Sequence, residues 1–275
     1  MGGTLVHLDK RDEAWNDVGM ESTALPSAAP VLSRWVDAFW VFASTGKAHR
    51  VLPDGCIDFI FDLETGRARV QGPMTRAELV ALPDGSRVFG VRFLPGAASA
   101  FVDTDAHTLE DRAADLEDVT TAARSWRLGE RVAEACDHHA RSRLIGDFLL
   151  DPRARTRAAD VRLRHAVRAV RHSHGSLAIA DIARDLGVSE RTLERLFRQH
   201  VGVRPKLYAR IARMEWTRAL AESHDESQAS LAHLGGYADE PHLLRDFRAL
   251  AGLSPSALLA EDRVGFVQVG GPDPA

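Results

Sequence analysis

The sequence predicts an α+β chain: a β-rich front part, a helical connector, and an all-α C-terminal part that builds one helix-turn-helix twice. Three observations predict it. Runs of β-branched and aromatic residues punctuated by Gly/Pro turns fill the chain to about Phe101. Strand signals stop beyond Thr108, and apolar residues then recur at helical spacing. Finally, "LERLFRQHVGVRP" (Leu193 to Pro205) returns fifty residues later as "LLRDFRALAGLSP" (Leu243 to Pro255). Leu193, Arg195, Phe197, Arg198, Gly202 and Pro205 fall on Leu243, Arg245, Phe247, Arg248, Gly252 and Pro255.

Length and composition set the bounds. A chain of 275 residues, 45% hydrophobic and 27% charged, can bury two cores. It holds no run of eighteen apolar residues, and its start has no apolar segment behind a basic one. Neither a membrane span nor a signal peptide is expected. Two cysteines, Cys56 and Cys136, make no disulfide framework, so a reducing cytoplasm is the expected setting. Residues 153–263 carry 19 Lys and Arg against 14 Asp and Glu, whereas the remainder carries 16 against 25. The basic part calls for an anionic partner.

Taken in order, residues 1–105 read as a β-rich, effector-binding domain. Pro53-Asp54-Gly55 and Pro83-Asp84-Gly85 each place a turn before a strand-like run, which favours a small barrel or sandwich. Residues 106–156 read as helical connector and linker, with Trp126, Val132, Leu144, Ile145, Phe148 and Leu149 at helical spacing. Residues 157–263 are the repeated helical domain, and 264–275 a flexible tail. A metal enzyme in the front part would need imidazoles converging with a carboxylate. Only His7 and His49 precede Phe101, so no catalytic residue, metal or cofactor is expected. Trp40, Cys56 and Phe59 are the candidate effector contacts.

Within the first copy, Ile179, Ile182, Ala183 and Leu186 form one apolar face, and Val188, Leu193, Leu196 and Phe197 another. Gly187 between them suits the positive φ that ends a helix, and Ser189 suits an N-cap. The second copy repeats this with Gly236 and Asp239, one residue further apart, and with Pro241 in the first turn. The outer face of the first reading helix carries Glu190, Arg191, Thr192, Glu194, Arg195 and Arg198. That of the second carries Glu240, Pro241, Leu244, Arg245 and Arg248. A helix fits the major groove of DNA, and arginine pairs bidentately with guanine. Together with the caps Ser189 and Asp239, these residues are the candidate DNA-binding set. Between the copies, Arg204 to Glu222 predicts a helix that would span about 28 Å, close to the ~34 Å between major grooves on one duplex face. Lys206, Arg210 and Arg213 near its start are candidate phosphate contacts. The alternative is an effector-binding interaction protein whose helical hairpins contact protein, their arginines merely solvated.

Over Leu177 to Leu259 the motifs "LGVSERTLERLF", Gly202-x-x-Pro205-x-x-Tyr208 and "GY…H…RDF…GLSP" closely resemble the AraC/XylS family of bacterial transcription regulators. The resemblance implies seven helices, two of them in consecutive major grooves. It places base reading on Arg191, Glu194 and Arg195, then on Glu240, Pro241 and Arg245. The second set reads less sequence, because Pro241 and Leu244 cannot donate a side-chain hydrogen bond. It implies double-stranded promoter DNA as partner, with RNA polymerase if the protein activates. The front domain is then a cupin-like barrel that takes a small-molecule effector or forms a homodimer.

Overall fold

A computed structural model describes residues 20–23, 31–157, 160–223 and 227–262. The flexible tail expected at 264–275 and the expectation about a signal peptide both concern residues outside these. Eight strands are described: β1 (Met20–Thr23), β2 (Val36–Ala43), β3 (Ala48–Val51), β4 (Asp58–Asp62), β5 (Ala68–Gln71), β6 (Glu78–Ala81), β7 (Arg87–Phe93) and β8 (Ala113–Asp115). Six form an antiparallel sheet in the order β1-β2-β7-β4-β5-β8, and β3 pairs with β6 as a separate ribbon. The cupin-like body is therefore open. Its sheet ends at β1 and β8 without closing on itself.

Side chains alternate across the sheet. Phe39, Val91 and Phe59 lie in one register row and point to one face, while Trp40, Gly90 and Ile60 in the next row point to the other. The first face holds the main core. Phe39, Phe59, Phe61, Phe89 and Phe93 meet Leu116, Leu128, Ile145 and Phe148, all fully buried. The second set comes from α1 (Leu116–Val119), α3 (Leu128–Glu134) and α4 (His138–Leu150), with α2 (Thr121–Trp126) between them. Burial of each such side chain contributes about 1.5–3 kcal/mol. The stretch read from sequence as a connector thus supplies β8 and the helical cover of the front sheet, and the boundary expected at residue 105 runs through one shared core. The other face carries a small cluster of Phe42 and Val88 with Trp40, Ile60 and Leu82, and His49 of the ribbon stands edge-on to Phe42 at 4.8 Å.

Among the described residues the C-terminal part has seven α-helices: α5 (Val161–His172), α6 (Ile179–Asp185), α7 (Glu190–Leu196), α8 (Pro205–Ser223), α9 (Gln228–Leu234), α10 (Glu240–Leu250) and α11 (Pro255–Asp262). Helix α8 is the shared spine. Tyr208, Ala209 and Ala212 enter the core of the first helix-turn-helix, and Ile211 and Met214 enter that of the second. The two halves of the chain are docked. Arg50 reaches Glu261 at 3.1 Å and the Ala251 carbonyl at 3.2 Å. Gly55 lies so close under the Tyr208 ring that a Cβ there would stand 2.6 Å from it. The Ala77 amide donates to the Leu250 carbonyl at 2.6 Å.

Candidate nucleic-acid interface

Both turns close in the same way. Gly187 and Gly236 take φ of +64° and +71°. The next amides, Val188 and Tyr237, donate back to the carbonyls of Ala183 and Ala232 at 3.0 and 2.8 Å. This exit satisfies carbonyls that the end of a helix would otherwise orphan. Ser189 then caps α7 by accepting from the Thr192 amide at 3.2 Å, and Asp239 caps α10 by accepting from the His242 amide at 2.7 Å. Each cap contributes about 1 kcal/mol. The caps orient α7 and α10, whose inner residues, Leu193 and Phe197 on one and its extension and Leu243 and Phe247 on the other, are fully buried.

Their outer faces are open. Glu190, Arg191, Arg195 and Arg198 are exposed on α7 and its extension, as are Glu240, Pro241, Arg245 and Arg248 on α10. Thr192, Glu194 and Leu244 are half-buried. Lys206 is exposed in the first turn of α8. Among the described residues, none of these arginines has a carboxylate at ion-pair distance, and Arg195 donates to the Gln199 side chain at 3.3 Å. Glu194 pairs loosely with Arg204 at 3.5 Å. Beyond Leu196 the helix winds into a π-turn, with the Gly202 amide bonded to the Phe197 carbonyl at 2.9 Å and Gly202 at φ +95°.

Two expected phosphate contacts are spent elsewhere. Arg210 donates to the buried Asp246 carboxylate at 2.9 and 3.0 Å, tying α8 to α10. Arg213 donates to the Gly175 carbonyl at 2.6 Å and lies over the Tyr237 ring. The signal for the first was present in the repeat, since Asp246 stands where the first copy has the buried Leu196. A charge at a core position requires a partner, and Arg210 is that partner. No sequence signal pointed to a second feature. Asp105 and His107 of the front domain share a crevice of about 680 Å³ with Arg191, Thr192, Glu194, Arg195, Arg198 and Gln199.

The three candidate effector contacts do not converge. Trp40 and Phe59 point to opposite faces of the sheet, and Phe59 is sealed in the core. Cys56 is half-buried beside Asp54, whose carboxylate accepts from its amide at 2.8 Å. Burial, then the Asp54 charge, push the thiol well above its ordinary range. The Arg92 guanidinium that would favour a thiolate is held by Asp58 at 3.0 Å and Asp54 at 3.3 Å. That environment disfavours a reactive cysteine. Among the described residues no group of His, Cys, Asp and Glu is arranged to hold a metal ion, and no helix is long and apolar enough to cross a membrane.

Comparison with known proteins finds a match in each half of the chain. Residues 182–261 match a family described as a helix-turn-helix domain, and residues 24–115 match one described as a domain of unknown function. No curated protein matches. A transcriptional regulator from Chromobacterium violaceum, described as an AraC-type DNA-binding domain-containing protein, is 30% identical. The match covers 36% of this chain and 90% of that one, with a TM-score of 0.35. The C-terminal domain of AraT, a response regulator from Geobacillus stearothermophilus, is 22% identical over 40% of this chain and 89% of that one, with a TM-score of 0.35. ToxT from Vibrio cholerae, solved with an unsaturated fatty acid bound, is 14% identical over 80% of this chain and 94% of that one, with a TM-score of 0.42.

Proposed function

The chain belongs to the AraC-type family of DNA-binding transcription regulators, and from that premise we propose that it reads promoter DNA by setting α7 and α10 in consecutive major grooves. One observation carries the reading: two reading helices have the same glycine exit, the same capped start and the same exposed guanidiniums, Arg195 with Arg198 and Arg245 with Arg248. A pair of unrelated hairpins has no reason to share all three. The spine α8 has 19 residues, about 28 Å at 1.5 Å per residue, which suits reading heads one duplex turn apart. Arg191 and Arg195 supply the main base discrimination and Arg245 the second, because Pro241 and Leu244 beside it offer no hydrogen-bond donor. Lys206 holds a phosphate. The front domain modulates this activity by taking a small effector, since its contacts to α8, α10 and α11 make any change in it felt by the reading helices.

Selection of bound fragments from a genomic library, followed by fluorescence anisotropy on the chosen sites, tests the reading. The selected sites should contain two half-sites about 10 base pairs apart. Arg195→Ala should cost about 1–3 kcal/mol at one base and relax preference there. An even loss across all sequences with a shallower salt dependence would make Arg195 a phosphate contact. Failure to enrich any fragment would overturn the proposal as a whole.

A further inference from the structure

Between the two halves lies a second cleft, of about 650 Å³, which the reading helices do not use. That volume is in the range of small-molecule sites. It is walled by Ser33 to Trp35, by the loop after β7, by Arg155 and Arg157 of the linker, and by one side of α5. Its floor is apolar, with Trp35, Leu163 and Val167 buried.

Its rim is a concentration of positive charge. Arg164, Arg168 and Arg171 follow one another at helical spacing along a single face of α5. The guanidiniums of Arg34 and Arg155 lie 3.9 and 5.6 Å from the centre of the same Trp35 ring. The carboxylates nearby are already engaged: Asp160 holds Arg162 at 2.8 Å, Asp105 holds Arg157 at 2.5 Å, and Asp37 sits in the field of Arg171. Among the described residues, Arg34, Arg155, Arg164 and Arg168 have no carboxylate at ion-pair distance. Like charges gathered on one helix face and over one ring repel one another. A multiply charged anion would turn that repulsion into charge-assisted, bidentate hydrogen bonds.

We propose that this cleft binds a small organic polyanion, a phosphate ester or a polycarboxylate, gripped by Arg34, Arg155, Arg164 and Arg168 with its carbon skeleton against the apolar floor. One such anion would join the front domain, the linker and the first helix of the reading domain. This deepens the effector reading above and rests on it only for the consequence that occupancy alters promoter binding.

Titration calorimetry on the full chain at constant ionic strength, with pyrophosphate and citrate as probes and sodium chloride as control, decides it. At least one probe should bind saturably at one site per chain. The dissociation constant should rise by about tenfold or more in Arg164→Gln/Arg168→Gln and, separately, in Arg34→Gln/Arg155→Gln. Circular dichroism and promoter affinity without the probe should be unchanged in both. Three results would overturn the proposal: heats no different from chloride, binding that both variants retain, or variants that instead lose affinity for every duplex with a shallower salt slope. The last would make the cleft a DNA track. Failure of the wild-type chain to bind any promoter would sink the regulator reading, and the titration would still judge the cleft.

Discussion

The ion pair between Arg210 and Asp246 separates two ideas of what joins the long helix to the second reading helix. Asp246 is 5% exposed, and both Arg210 contacts fall on one of its oxygens, at 2.9 and 3.0 Å. The other oxygen is buried and has no hydrogen-bond partner. At an effective dielectric near 20, two charges about 3 Å apart attract by about 6 kcal/mol. Withdrawing the carboxylate and guanidinium from water costs several kcal/mol per ion, so the pair contributes little net stability. Removing Arg210 alone leaves the cost without the return. Arg210→Ala should therefore destabilise by about 3 kcal/mol, the lower end of the 3–5 kcal/mol seen for orphaned buried charges. The lower end applies because the Arg210 side chain is 41% exposed, so water can take its place. Asp246→Leu, which copies Leu196 of the first repeat, should be close to neutral, and the double variant should resemble it. In a thermal melt of the full chain, Arg210→Ala should lower Tm by about 6–12 °C, from roughly 2–4 °C per kcal/mol. If Asp246→Leu proves as damaging as Arg210→Ala, attraction outweighs desolvation here and the reasoning is wrong.

Three more outcomes follow from particular contacts. Gly187→Ala should cost only the left-handed backbone penalty of about 1–2 kcal/mol, since a Cβ there meets nothing within 4 Å. Gly202→Ala adds collisions at 2.5 Å with Pro73 and 2.9 Å with the Ala106 carbonyl, and should destabilise more and expose the linker to limited proteolysis; equal effects would show that the docking is soft. His200 pairs with Ser99 across the interface at 2.8 Å, and burial followed by the Arg157 charge holds it below its ordinary 6.5. The unfolded chain therefore takes up that proton first: stability should be level above pH 6.5 and fall between 6.5 and the lower folded value, a step that His200→Gln removes in urea titrations. Asp105 shares the crevice of Arg191, Arg195 and Arg198 and is paired with Arg157; Asp105→Asn removes its negative charge and leaves Arg157 uncompensated, so it should tighten DNA binding at low salt, and weaker binding would count against α7 as the reading helix.

Much of the reading domain was legible because its devices are local. A glycine ends a helix through its own φ, and a Ser or Asp caps through an amide three residues on, so Gly187, Ser189 and Asp239 announced themselves in the sequence. The front domain was legible in type only. Its effector candidates do not converge, because pairing register, invisible in one dimension, sends Trp40 and Phe59 to opposite faces of the sheet.

By itself, the sequence determined the doubled motif, the outward arginines and the α+β division, since each depends on spacing within about fifteen residues and on side-chain chemistry. Tertiary structure alone decided which arginines are free. Arg210 and Arg213 read like Arg195 on paper, yet they are turned inward by Asp246 and the Gly175 carbonyl, partners more than thirty residues away. It also decided that residues 113–115 join the front sheet and 116–150 cover it, and that Arg34, Arg155, Arg164 and Arg168 gather around one cleft. Such convergence depends on how two cores pack against each other, and no local preference along the chain encodes it.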